Sequence, residues 1–184
     1  MNNPFLGFHD CSDDEIALQA RIGRALAVAV KFEGNCKALV AVGEARDQAA
    51  KPRLPGEDRD KAMIDAVSKI WDRFLGQNKN SIVERFGDHI RPILQAGVDA
   101  RNELAHEIAN GLFYAELAQD EDWRRRQDEW LAGLVELIAN ADQLVLMLTL
   151  SMASFDEPPA KESVEEYPAC LVAWVMSGRR AASR

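Results

Sequence analysis

Trp130, Leu134, Leu137, Ala141, Leu144 and Leu148 are spaced alternately by four and three, and no other feature constrains the fold of this chain as much. The spacing is a heptad seam, which only an α-helix keeps on one side. Leu131, Val135, Ile138 and Val145 widen the seam into a broad apolar stripe. A stripe of that width belongs to a helix buried in a bundle, or to one that also pairs with a second subunit. The helix is expected over about 120–153.

Other helices must cover that stripe. "SDDE", Ser12 to Glu15, has the form of a capping box and opens a first helix expected to reach about Ala45. Ile16, Ala20, Gly23, Ala27 and Val30 mark its expected packing face, where small residues let another helix approach closely. "RDQAAKPRLPGEDRD" reads as a loop, with two prolines and a glycine among charges. A second helix is expected over 60–75, with Met63, Ala66, Val67, Ile70, Trp71 and Phe74 on its apolar side and Gly76 as its stop. "GQNKNS" reads as a loop, followed by a short helix over 81–86. A further helix is expected over 89–110, with Pro92 in its first turn or at a kink and Gly111 beyond its end. The expected fold is therefore all-α, a bundle of four to five main helices.

With 184 residues, 47% apolar and 28% charged, the chain supports one domain with a sizeable core. That domain is expected over 1–155. Residues 156–184 then form an acidic linker, a short docking segment ("ACLVAWVMSG", helix or strand) and a disordered basic end, "RRAASR". The net charge of −8 argues against sequence-blind binding to long duplex DNA, which relies on neutralising phosphates. It leaves room for a local basic site on a short RNA. Cys11, Cys36 and Cys170 are odd in number and show no C-x-x-C spacing, so neither a disulfide framework nor a zinc site is expected. "MNNPFLGFHD" lacks the features of a signal peptide, and the runs "LVLML" and "ACLVAWVM" are too short to span a bilayer. A cytoplasmic protein without membrane contact is expected.

The helix over 89–110 carries an anomaly. Ile90, Leu94, Gly97, Leu104 and Ile108 fall on one side of it, and Arg101 falls in the middle of that stripe. A guanidinium there needs a carboxylate or a bound anion. One reading is a structural ion pair with an acidic residue of another helix. The other is a cleft in which the planar fork of Arg101 meets a phosphate. His106 lies about 140° round the helix from Arg101, and Asn102 shares an edge with His106 one turn away. The three cannot face a single neighbouring helix. They can line a cleft between helices, or between two copies of the chain.

"RNELAH" resembles the R-N-x-x-x-H motif of HEPN-domain ribonucleases, small all-α proteins that cut RNA without a metal. The resemblance implies catalytic roles for Arg101 and His106 and a supporting role for Asn102. It also implies a homodimer with both motifs facing a shared cleft. Such proteins act as toxins or defence effectors, some with a protein antitoxin, and some have become interaction modules.

The residue types suit that chemistry. RNA supplies its own nucleophile, the 2′-OH, so the protein need only move protons and stabilise the phosphate. His106 serves as base or acid, Arg101 neutralises developing charge, and Asn102 orients His106 or donates to the phosphate. No metal or other cofactor is required.

Two competing constellations carry less. "ELAH", Glu103 to His106, is an E-x-x-H, half of a di-iron motif, but no second copy exists and His9 and His89 sit in none. Glu103 and Glu107 read as a solvated face. "DEDWRRRQDEW" places Arg124, Arg125 and Arg126 near a helix start. Intrahelical pairs (Glu121 with Arg125, Asp122 with Arg126, Arg125 with Glu129) explain them better than an RNA-binding patch. Trp123 and Trp130 read as packing or interface residues. The alternative to an RNA endonuclease is a non-catalytic helical interaction protein in which Arg101 is structural.

Overall fold

A computed structural model of the chain describes residues 13–52, 58–109, 120–153 and 164–177. The capping Ser12, part of the first loop, Gly111, most of the acidic linker, the basic end, Cys11 and His9 lie outside the described residues. The protein is all-α, and no strand occurs among the described residues. The helices are α1 (Asp13–Ala50), α2 (Arg59–Trp71), α3 (Leu75–Phe86), α4 (Arg91–Ala109), α5 (Glu121–Ala153) and α6 (Tyr167–Met176), with a 3₁₀ turn over Asp88–Ile90.

Helix starts follow local chemistry. Asp58 accepts a hydrogen bond from the Lys61 backbone N–H at 3.2 Å and caps α2. Asp120 accepts from the Asp122 and Trp123 N–H groups at 2.9 and 3.2 Å, and Glu121 and Asp122 add negative charge to the positive end of α5. Pro92 sits in the first turn of α4, where its missing N–H costs nothing.

α5 is a central strut of 33 residues, about 50 Å long. It packs against α4, α1 and α6, while α1 also holds α2 and α3. By length and composition α5 is apolar enough to cross a membrane. Here Leu131, Val135, Ile138, Ala141 and Val145 of α5 are buried in the bundle core. The seam is used unevenly: Leu134 and Ala141 are buried, Leu144 and Leu148 are half-buried, and Leu137 is exposed. Gly97 marks the crossing of α4 and α5. A Cβ there would collide with the Ala141 side chain and sit 3.3 Å from the Phe32 ring.

Three elements depart from the sequence expectation. First, α1 buries the opposite side. Ile16, Ala20, Gly23, Ala27 and Val30 are all exposed, whereas Leu18, Ile22, Ala25, Ala29, Phe32, Cys36 and Leu39 form the buried ridge. The two stripes share a period, and the larger side chains win because they remove more apolar area from water. Second, α1 continues to Ala50. Third, α2 ends at Trp71, and "GQNKNS" is helical inside α3. Leu75, Asn78 and Ile82 are buried at helical spacing, and the Gln77 side chain reaches back to accept from the Phe74 N–H at 3.0 Å. Gly76 therefore lies in a first turn instead of ending a helix.

The segment "ACLVAWVM" is helical. Val175 of α6 joins the main core, and Arg24 of α1 donates to the Val175 carbonyl from Nε and Nη2 at 3.0 and 2.8 Å and to the Ser177 carbonyl at 2.6 Å. A guanidinium thus satisfies the carbonyls at the negative end of α6.

Candidate functional site

The surface of α4 presents the motif residues. Leu94, Gly97 and Leu104 are buried, which fixes the helix rotation and turns Arg101 toward α1. Its side chain stays 33% exposed, so it borders the core without entering it. Arg101 Nη2 donates to Glu33 Oε2 at 2.7 Å, and Nη1 donates to Asn102 Oδ1 at 3.2 Å. Two of its five N–H donors are then engaged. Glu33 also pairs with Lys37 at 3.2 Å, and Lys37 Nζ donates to the Trp71 carbonyl at 3.0 Å. The chain of contacts from Trp71 through Lys37 and Glu33 to Arg101 and Asn102 joins α2, α1 and α4.

His106 lies in the last turn of α4, is exposed, and makes no hydrogen bond or ion pair among the described residues. The structure therefore couples Arg101 to Asn102 and leaves His106 apart from both on the same helix. Glu103 and Glu107 are exposed, and Glu103 Oε1 accepts from the Trp130 indole N–H at 2.7 Å, tying α4 to α5. Trp123 and Trp130 both pack against the core cluster.

The three arginines of α5 diverge. Arg124 forms an ion pair with Asp14 of α1. Arg125 pairs within its own helix, with Asp122 at 3.0 Å and Glu129 at 4.0 Å. Arg126 is exposed and has no ion pair among the described residues. Of the three intrahelical pairs anticipated, Arg125 with Glu129 is present, while Asp122 pairs with Arg125 instead of Arg126. A shared phosphate-binding concavity does not arise from this arrangement.

A second polar centre went unnoticed in the sequence. Asp142 of α5 is fully buried. Its Oδ1 accepts from the Asn35 amide at 2.7 Å, its Oδ2 accepts from the Tyr167 hydroxyl, and Lys31 Nζ lies 3.9 Å away. Lys31 also donates to the Tyr167 oxygen at 2.8 Å and lies over the Tyr167 ring. Burial, followed by the hydrogen bond to Asp142 and its charge, pushes the Tyr167 hydroxyl pKa well up. Cys36, one helical position from Asn35, is also pushed well up, by burial first and then by the charges of Asp142 and Glu33. Its thiol stays protonated and is a poor nucleophile. The available signal was the one that marked Arg101: Ile138, Asp142 and Val145 continue an apolar stripe with one charge inside it. That interruption was visible, but its partners Asn35 and Tyr167 were not.

Among the described residues no group of three or more His, Cys, Asp or Glu side chains is arranged to hold a metal ion. No protein-family model, curated protein or solved structure matches this chain.

Proposed function

We propose that the protein is a metal-independent RNA endonuclease of HEPN type, acting as a homodimeric toxin or defence effector in the cytoplasm. The observation that carries this reading is the one-third-exposed Arg101, bonded to Asn102 with donors to spare, on the same helix as an unencumbered His106. Two copies meeting across α4 would supply two histidines. One takes the proton from the 2′-OH as its oxygen attacks phosphorus. The other donates a proton to the departing 5′-oxygen, leaving a 2′,3′-cyclic phosphate and a 5′-hydroxyl. Arg101 stabilises charge on the non-bridging oxygens, and Glu33 holds its guanidinium in place. A protein antitoxin is a natural partner for such an enzyme.

The Arg101–Glu33 ion pair also favours a second reading, a non-catalytic helical scaffold in which Arg101 is structural. One assay separates the two. Wild type and His106→Ala protein are incubated with mixed cellular RNA in EDTA, and the new ends are tested for cyclic phosphate. Cleavage by the wild type alone is expected, with DNA and 2′-O-methyl RNA left intact because neither offers the attacking hydroxyl. Cleavage that persists in the variant removes the catalytic role of His106, and an intact RNA pool throughout favours the scaffold. Light scattering at micromolar concentration should give twice the chain mass, and a monomer would remove the shared cleft.

A further inference from the structure

α1 and α3 enclose a cleft of about 270 Å³. Leu39, Val40, Ile82 and Phe86 supply its apolar wall. The two helices run parallel here, since Leu39 and Ile82 line the cleft together and Arg85 reaches Asp47 further along. α1 ends at Ala50 and α3 at Phe86, so the negative ends of both helices point the same way beside the cleft. α1 has no basic residue in its last turn to offset this, whereas α3 carries Arg85 in its own.

The lining charges add to the effect. Arg85 is the one cation among the lining residues, and it is already committed. Its Nη1 donates to Asp47 Oδ1 at 3.3 Å and its Nη2 to Asp47 Oδ2, with the guanidinium lying across Gly43. A Cβ at Gly43 would stand 2.7 Å from Arg85 Nε, so the glycine makes room for this placement. Glu44 and Glu84 also line the cleft, and neither makes an ion pair or hydrogen bond among the described residues. The cleft thus joins an apolar wall to two helix C-termini and two carboxylates that make no close ion pair, although Glu44 lies within the field of Arg85. An anion is repelled there, and a neutral molecule forgoes the ion pairs.

We propose that this cleft binds a small amphipathic amine, with its ammonium between Glu44 and Glu84 and its alkyl chain on Val40, Ile82 and Phe86. The volume lies just under the roughly 300–1,000 Å³ of drug-sized sites, so the occupant is smaller than a drug. The site is remote in its residues from Arg101 and His106, and it stands or falls independently of RNA cleavage.

The test titrates the full chain with n-hexylamine and follows amide resonances. Saturable shifts are expected at residues of the α1/α3 cleft, with half-saturation on the order of a millimolar. 1-Hexanol and hexanoate, of equal chain length, should bind about tenfold more weakly or worse. Glu44→Gln and Glu84→Gln should each weaken the amine about tenfold while leaving hexanol unchanged. Glu84 is exposed and Glu44 partly so, and neither side chain makes a hydrogen bond among the described residues, so folded variants are expected, and melting curves without amine check this. Equal binding of hexanol and hexylamine would reduce the site to an apolar hollow and overturn the proposal. So would an absence of saturable shifts up to about 50 mM amine.

Discussion

Arg101 and Asp142 each interrupt an apolar helix stripe with a charge, and the protein treats them in opposite ways. Asp142 is fully buried and surrounded by Asn35, Tyr167 and Lys31, drawn from two other helices. Arg101 keeps a third of its side chain in water and has Glu33 and Asn102 as partners. A buried charge survives only where its lone pairs are filled, and Asp142 meets that demand with two segments distant in sequence. Arg101 is under no such demand. One residue fastens the bundle, and the other is left with capacity to bind.

The contrast breaks most visibly at Asp142. Replacing it with Ala leaves the Asn35 amide and the Tyr167 hydroxyl without their acceptor and removes the ion pair to Lys31, a loss of about 3–5 kcal/mol in all at roughly 1–3 per stranded buried donor. For a chain of this size the melting temperature should fall by about 10 °C or more. A shift of only a degree or two would mean that water replaces the carboxylate, and that the centre is not a fastening.

Alkaline titration probes the same centre more gently. The Tyr167 and Cys36 pKa values are both raised on folding, so the protonated groups stabilise the native state. That contribution is complete below the ordinary values of 9.0 for the thiol and 10.0 for the phenol, and it is lost as pH rises beyond them toward the folded values. Melting curves should therefore weaken above about pH 9. Cys36→Ala should delay the onset by about one pH unit, and Tyr167→Phe should remove the later part.

Arg101→Ala should cost much less stability than Asp142→Ala. Glu33 is itself partly exposed and keeps Lys37 as a partner, so the loss is about 1 kcal/mol or less. RNA cleavage, in contrast, should vanish. Arg101→Lys preserves the charge but not the planar fork, and activity should still fall sharply. A melting shift as large as that of Asp142→Ala would place Arg101 among the fastenings and favour the scaffold.

His106→Ala is the smallest structural change of all. The side chain is exposed and makes no bond among the described residues, so stability should move by no more than about 0.5 kcal/mol. The same protein should be inactive on RNA. Catalysis that survives would leave Arg101 without its proposed co-worker.

Most of the helices were legible because periodicity survives without tertiary information. The 130–148 seam placed α5, and Leu94, Gly97 and Leu104 placed α4 with Arg101 at its edge. The wrong face of α1 has a definite cause. Ala20, Gly23 and Ala27 repeat as faithfully as Ile22, Ala29 and Phe32, and only bulk separates the two stripes. "GQNKNS" misled for a different reason, since its polar composition imitates a turn while Asn78 sits at a buried helical position. Glu33 as the partner of Arg101, and Tyr167 as the partner of Asp142, lie 68 and 25 residues away along the chain. Local pattern holds no record of pairings at that range.

The clasp of Arg24 on the end of α6 has a temporal side. It joins residues separated by 151 and 153 positions, and Arg21 reaches Asp128 across 107. Ribosomes add about 5–20 residues per second, so α1 leaves the tunnel on the order of ten seconds before its last partner exists. Early in that interval Phe32 and Leu39 face water or a chaperone, until α4 and α5 arrive to complete the cover that α2 and α3 begin. Contacts this remote also slow the search for the native topology, because a long loop must close before any reward arrives. The protein completes itself from both ends at once. A nascent chain halted before Tyr167 would leave the Asp142 carboxylate without the hydroxyl that covers it.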